Sequence, residues 1–217
     1  MAELRQILRD LKVLQGPFLP FDPTNAPADP LDVFLDWLSV AIAHDVPEPH
    51  ATTLATAGAD GRPDARILLL KNVDGAGFHF AISAVSHKGR QLEQRPSAAL
   101  TFYWQPLARQ VRVRGEVVYL GAEASAADFR ARPDGSRAAG MLGRQSETLE
   151  CAAELNEAYA RALVDVAQNP EAVSPHWRLY AVRPDEVEFW QGASSRRHTR
   201  LRYTRRGDDF RRDILWP

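Results

Sequence analysis

The sequence predicts a mainly β fold with flanking helices, an antiparallel barrel that is closed or nearly so. Short runs of strand-forming residues recur at close spacing between turn signals, and only a few segments show helical periodicity. Strands and helices do not alternate regularly, which argues against a doubly wound sheet. A chain of 217 residues, 45% hydrophobic and 25% charged, can bury a full core. Residues 1–26 read as an N-terminal helix and proline-rich arm, and residues 27–217 as a single domain.

Leu4, Ile7, Leu8, Leu11 and Leu14 fall on one helical face, and Gly16-Pro17 is the expected stop. Gly16 to Pro30 holds five prolines and reads as an extended arm lying on a surface, that of a partner subunit being the natural choice. Asp29-Pro30-Leu31-Asp32 starts a second helix, with an N-cap carboxylate and proline at the first helical position. Phe34, Trp37, Leu38, Ala41 and Ile42 form its apolar stripe.

Ala51–Ala57, Asp64–Lys71 and Phe78–Ile82 are expected as a three-stranded meander, joined by turns at Asp60-Gly61 and Asp74-Gly75. Within it, Arg66-Ile67-Leu68-Leu69-Leu70-Lys71 reads as a strand buried on both faces with a cation at each end. At strand rise those cations lie about 17 Å apart, too far for one anion to bridge. They either snorkel to water or serve two separate anions. Ser86 can cap a helix from His87 to Gln94, and strands follow at Ala98–Trp104 and Gln110–Leu120. In the latter Val111, Val113 and Val117 oppose Gln110, Arg112 and Arg114 until Gly115, where a bulge is expected. Helices are expected at Ala122–Arg132 and about Glu147–Gln168. Strands at Trp177–Val182, Val187–Trp190, Leu201–Arg205 and Phe210–Leu215 close the chain.

A net charge of −1 gives no global field for nucleic acid or an acidic membrane, so neither is an expected partner. The sole cysteine, Cys151, excludes an internal disulfide and any multi-cysteine metal site, and reads as a small buried helix residue. No signal peptide and no membrane-length apolar run is visible, which leads to the expectation of a cytoplasmic protein. Gly75-Ala76-Gly77 lacks the third glycine and the helix of a dinucleotide fingerprint. Phosphate loop, His-Glu-x-x-His and nucleophile elbow are absent, and no metal site is expected.

What remains is cations, amides and hydroxyls at strand ends: Arg66 and Lys71, His87-Lys88, Gln110, Arg132 with Ser136, and Gln145-Ser146. These groups suit phosphate, although each cluster alone also suits a solvated surface. Arg196, His198 and Arg200 alternate after Trp190 and would share one face if extended, beside an aromatic plane fit for a flat anionic ligand.

The ordered set of motifs resembles the pyridoxine/pyridoxamine 5'-phosphate oxidase family from about Pro27 to Pro217. Matching segments include Pro27-Ala28-Asp29-Pro30-Leu31, Arg66-Ile67-Leu68-Leu69-Leu70-Lys71, Ser86-His87-Lys88-Gly89 and Arg109-Gln110-Val111-Arg112-Val113. Arg132-Pro133, Gln145-Ser146, Phe189-Trp190-Gln191-Gly192, Arg196-x-His198-x-Arg200 and Leu215-Trp216-Pro217 complete it. The resemblance implies an FMN-binding split β-barrel over residues 27–217, homodimeric, with FMN between subunits. It implies that Arg66, Lys88 and Ser146 hold the flavin phosphate, with His87 beside them in place of an assisting arginine. Ile67, Leu68, Leu69, Ala81, Ile82, Gln110, Gln145, Trp190 and Arg200 would contact the rest of the flavin. Lys71, Arg132 and Ser136 would hold a substrate phosphate, with Asp128 beside them and Arg196 and His198 over the pyridine ring as the catalytic pair. The implied reaction passes a hydride from the substrate's 4' carbon to flavin N5, and O2 then yields hydrogen peroxide.

Some positions depart from the family pattern. Asp128 stands where the family has a phosphate-binding tyrosine, and a carboxylate there repels a phosphate unless a cation screens it. His87 replaces an arginine, and Trp177-Arg178-Leu179 replaces Trp-Gly-Gly. Leu14-Gln15-Gly16-Pro17-Phe18 is similar to the arm of phenazine-biosynthesis oxidases. Lys71 and Arg132 therefore favour a vitamin B6 phosphate, whereas Asp128 and the arm favour a dihydrophenazine-type substrate. A non-catalytic flavin-binding protein is the third reading.

Overall fold

The computed structural model describes residues 2–217. Among them six α-helices and nine β-strands follow in the order α1 (Ala2–Asp10), α2 (Pro30–Ala43), β1 (Ala51–Ala57), β2 (Pro63–Leu69), β3 (Asn72–Asp74), β4 (Gly77–Ser83), α3 (His87–Gln94), β5 (Ser97–Trp104) and β6 (Arg109–Tyr119). Then come α4 (Ala122–Arg130), α5 (Asp134–Met141), α6 (Ala152–Gln168), β7 (Trp177–Gln191), β8 (Thr199–Arg206) and β9 (Asp209–Leu215). Hydrogen bonding orders the strands β2-β1-β5-β6-β7-β4-β3, with β8 on β7 and β9 on β8. The residues group into two compact units that interleave along the chain.

The first unit comprises Met1–Pro49, Thr101–Val113 and Glu186–Pro217. Asp29 caps α2 by accepting the Leu31 amide hydrogen at 2.8 Å, and Pro30 opens the helix. The helix buries Val33, Phe34, Trp37 and Ala41, with Phe34 against Phe102 at 4.9 Å and Trp37 against Phe189 at 5.2 Å between ring centroids. β8 and β9 form a two-residue hairpin in which Arg206 pairs with Asp209 and Gly207 takes φ +64°. The second half of the arm lies on its own chain rather than only on a partner: Phe21 packs edge-on to Trp37, and the Tyr203 hydroxyl donates to the Pro27 carbonyl at 2.7 Å. Helix α1 ends at Asp10, well before Gly16-Pro17, and its Leu4, Ile7 and Leu8 stay exposed. A helix this short gains little without a packed face, so early fraying is expected physically.

The second unit comprises His50–Leu100 and Arg114–Asp185. Here β2 departs from expectation. It is a sheet-edge strand of alternating exposure, with Ile67 66% exposed, rather than one buried on both faces. The expected three-stranded meander also breaks. β1 and β2 form one hairpin, while the chain leaves β2 before Leu70 and starts a second, β3–β4, which pairs onward with β7. Gly115 does not interrupt the in-and-out alternation of β6, which holds from Arg109 to Val117, and a Cβ at Gly115 would stand 1.9 Å from the Arg183 carbonyl. The two strands expected at Trp177–Val182 and Val187–Trp190 are one, β7. Helix α5 was not expected, and α6 starts at Ala152, leaving Cys151 exposed at its N-cap rather than buried in the helix.

Candidate functional site

Strand β2, the start of α3 and the segment between α5 and α6 converge on a cavity of about 880 Å³ in the second unit. That size falls in the range typical of small-molecule and cofactor sites, roughly 300–1,000 Å³. Ser86 fixes the α3 end, accepting the Gly89 amide hydrogen at 3.2 Å and donating to the Ser83 carbonyl at 2.6 Å. Arg66, His87, Lys88, Gln145 and Ser146 all line the cavity, as do Ile67, Leu68, Ala81 and Ile82. Leu69 does not.

The cationic end is pre-organised. Arg66 donates to the Thr56 hydroxyl at 2.6 Å and to the Leu54 carbonyl at 3.3 Å, which aims its guanidinium. Ser146 accepts the His87 amide hydrogen at 3.2 Å, and Lys88 Nζ lies 3.4 Å from the Gln145 amide oxygen. Burial pushes the Lys88 ammonium below its ordinary range, and the Arg66 charge adds to this while Asp64 works against it. Asp64 was not expected at this end. Its carboxylate pairs with Arg66 and lies 3.2 Å from His87 Nδ1. Burial would raise its pKa, but the His87 contact and the Arg66 charge outweigh that and hold it below the usual carboxylate range. Residues 64 and 66 share one face of β2, a spacing visible in the sequence. Arg66, Lys88 and the Ser146 hydroxyl still leave an excess of donors and positive charge, which fits a phosphate-bearing cofactor.

A second cluster forms around Trp177. Arg132 stacks on that indole, 4.0 Å from the ring centroid, and lies 5.5 Å from the Phe129 ring. A Cβ at Gly140 would stand 2.7 Å from Arg132 Nη1, so glycine there makes room for the guanidinium. Asp128 accepts the Trp177 indole hydrogen at 2.7 Å and lies 3.3 Å from Lys71 Nζ. The cation needed to screen Asp128 is therefore Lys71. Arg132 and Trp177 line the same cavity as Arg66 and Lys88, whereas Lys71, Asp128 and Ser136 do not. Ser136, half-buried, sits on α5.

The remaining expected residues belong to the first unit. Arg196, His198 and Arg200 do not share an extended face, because β8 begins only at Thr199 and Arg196 sits in a turn at φ +65°. Trp190 meets the His198 ring at 4.8 Å between centroids. The Ala193 amide donates to His198 Nδ1 at 3.1 Å, so the neutral ring carries its proton on Nε2 and offers a donor there. Arg200 is held by Glu188 at 2.9 Å and by the Trp216 carbonyl at 3.0 Å. Glu188, also paired with Arg112, was missed by sequence reasoning. Gln110 is half-buried on β6. Among the described residues no group of three or more His, Cys, Asp or Glu side chains could hold a metal ion.

Residues 39–191 match the sequence model of the family described as pyridoxamine 5'-phosphate oxidase. The chain belongs to that family. Residues 177–217 also match the pyridoxine 5'-phosphate oxidase C-terminal dimerisation region. Pyridoxamine 5'-phosphate oxidases are FMN-dependent, and the chain is accordingly an enzyme with FMN as its cofactor. A pyridoxine/pyridoxamine 5'-phosphate oxidase of Thermosynechococcus vestitus is 42% identical over 220 residues, covering 100% of this chain and 99% of the relative. One from Burkholderia multivorans is 47% identical, covering 85% and 86% respectively. Among solved structures, PhzG from Burkholderia lata in complex with tetrahydrophenazine-1-carboxylic acid is similar with a TM-score of 0.86 at 30% identity, over 92% of this chain and 98% of that one. The pyridoxamine 5'-phosphate oxidase fold, a split barrel, is thus the fold of this chain. No helix among the described residues is long and apolar enough to cross a membrane.

Proposed function

We propose that this chain oxidises pyridoxine or pyridoxamine 5'-phosphate to pyridoxal 5'-phosphate, as a homodimer with FMN at the subunit interface. The observation that carries the reading is the presence of two separate cation clusters in one unit, Arg66 with Lys88 and Arg132 with Lys71, as a phosphorylated cofactor and a phosphorylated substrate would require. FMN, when bound, would supply the acceptor for a hydride from the substrate's 4' carbon as the 4' hydroxyl or amine gives up a proton, and O2 would take the two electrons and two hydrogens as hydrogen peroxide. The imine left by pyridoxamine 5'-phosphate would take up water and release ammonia to give the aldehyde. The chain contributes placement and charge. Arg66, Lys88 and Ser146 are assigned to the flavin phosphate, and Lys71, Arg132 and Ser136 to the substrate phosphate. Arg196 and the Nε2 hydrogen of His198 are assigned to the substrate ring as orienting donors, because Nδ1 is already committed to the Ala193 amide.

Anaerobic addition of pyridoxamine 5'-phosphate to the FMN-loaded protein is expected to bleach the yellow band, and admitted air should restore it with one peroxide per turnover. A band that stays oxidised with this substrate and with pyridoxine 5'-phosphate rejects the reading. A second reading, oxidation of a dihydrophenazine-type carboxylate, is favoured by Asp128 inside the substrate cluster and by the likeness to PhzG. Faster bleaching by such a tricycle than by pyridoxamine 5'-phosphate would decide for it.

A further inference from the structure

The geometry points to Asp128 as a specificity-determining residue that sets the charge of the substituent accepted beside Trp177. Its effect is to admit a singly charged group, such as a carboxylate or sulfate ester, as readily as the dianion of a phosphate monoester. The inference rests on the oxidase reading for its substrate ring, but its charge argument comes from the cluster alone. Lys71, Asp128, Arg132 and Trp177 form one connected group. Asp128 lies 3.3 Å from Lys71 Nζ and accepts the Trp177 indole hydrogen at 2.7 Å, while Arg132 stacks 4.0 Å over that same indole. With its side chain only 13% exposed and tied at both oxygens, the carboxylate cannot swing into solvent when an anion approaches.

Two cations and one carboxylate leave a single net positive charge. A phosphate monoester carries about −1.5 to −2 at neutral pH, so it would bring one charge more than the cluster can balance. A carboxylate or a sulfate ester brings one. Arg132 Nη1, packed beside Gly140, has no hydrogen-bond partner in the chain, so the guanidinium is not fully spent on the protein. Burial lowers the Arg132 pKa and Asp128 opposes that shift, yet the guanidinium stays charged at any working pH. Asp128 thus does two things: it fixes Trp177 beneath Arg132, and it cancels Lys71.

The test compares pyridoxine 5'-phosphate with pyridoxine 5'-sulfate, esters of matching shape that differ by one charge. Dissociation constants are measured on the FMN-loaded protein, and kcat/KM with the corresponding pyridoxamine esters. The two constants are expected to agree within about threefold for the natural chain. Asp128→Asn keeps an acceptor for the indole hydrogen and removes the charge, so the preference should move toward phosphate by about tenfold or more. Lys71→Gln combined with Asp128→Asn restores a net charge of one and should bring the ratio back, which a merely structural role for Asp128 would not do. An unchanged ratio in Asp128→Asn overturns the inference, as does a natural chain already preferring phosphate by the margin expected of the variant. Binding of both esters with the expected ratios but no oxidation of either upholds the charge assignment and overturns the oxidase reading instead. Failure of both esters to bind any of the three proteins overturns both.

Discussion

Asp64 sits among the cations assigned to the flavin phosphate, paired with Arg66 and 3.2 Å from His87. A carboxylate costs about 1 kcal/mol for each unit of negative charge held 4 Å away in water-like surroundings. Asp64→Asn should therefore tighten FMN roughly fivefold in a fluorescence-quenching titration, and weaker binding would contradict the assignment of this end to the phosphate. Glu188 makes the opposite kind of prediction. Burial pushes its pKa up, but Arg200 and Arg112 together outweigh that and hold it below the ordinary value of 4.5. Because the folded-state pKa is depressed, the carboxylate contributes stability that is fully present above pH 4.5 and is lost as pH falls through the lower folded-state value. Glu188→Gln should cost about 1.5–3 kcal/mol in urea unfolding at pH 7, with the difference from the natural chain shrinking below pH 4.5. The sequence displayed the cations at this scale but not their partners. Asp64 and Arg66 could have been paired from their shared strand face, whereas Lys71 and Asp128, far apart in sequence, were brought together beforehand only by the family resemblance, and the fold pairs them.

Elements were most legible where local chemistry alone decides them. α2 begins where its N-cap and proline place it, β1 spans Ala51–Ala57 as expected, and Ser86 starts α3. Two glycines within eight residues hid α5, whose Gly140 is needed for Arg132 and not for backbone freedom. Pro184 stands inside β7, yet the strand runs on through it where two strands were expected. Burial of β2 was overestimated because a run of aliphatic residues reads the same at a sheet edge as in a sheet centre. Close strand approach decides Gly115, where an added methyl would meet the Arg183 carbonyl at 1.9 Å. Gly115→Ala should lower stability by about 1–3 kcal/mol, read as a reduced urea midpoint at constant m. A midpoint equal to that of the natural chain would mean the two strands can part without cost.

For the whole molecule the main consequence is self-association. Ile214 is 61% exposed and Trp216 is 91% exposed, both within the C-terminal segment that matches a dimerisation region. Large apolar side chains left bare on one segment mark a contact surface. Ile214→Asp should raise the dimer dissociation constant by about thirtyfold or more, seen as a shift toward monomer in sedimentation velocity. Turn spacing and strand patterning sufficed to forecast an antiparallel barrel, since each reports on short stretches of chain, and the flavin came only from the family resemblance that the ordered motifs carry. Where two compact units draw their residues from three and two separate stretches, sequence order carries little of the arrangement. The chain's one thiol offers a last practical return. Cys151 is solvent-exposed at the start of α6, and Glu154 and Leu155 of that helix line the cavity. A maleimide dye would attach at this single address and serve as an energy-transfer donor to the isoalloxazine. Its lifetime should shorten as flavin loads and recover on dialysis, giving a readout of occupancy that needs no turnover.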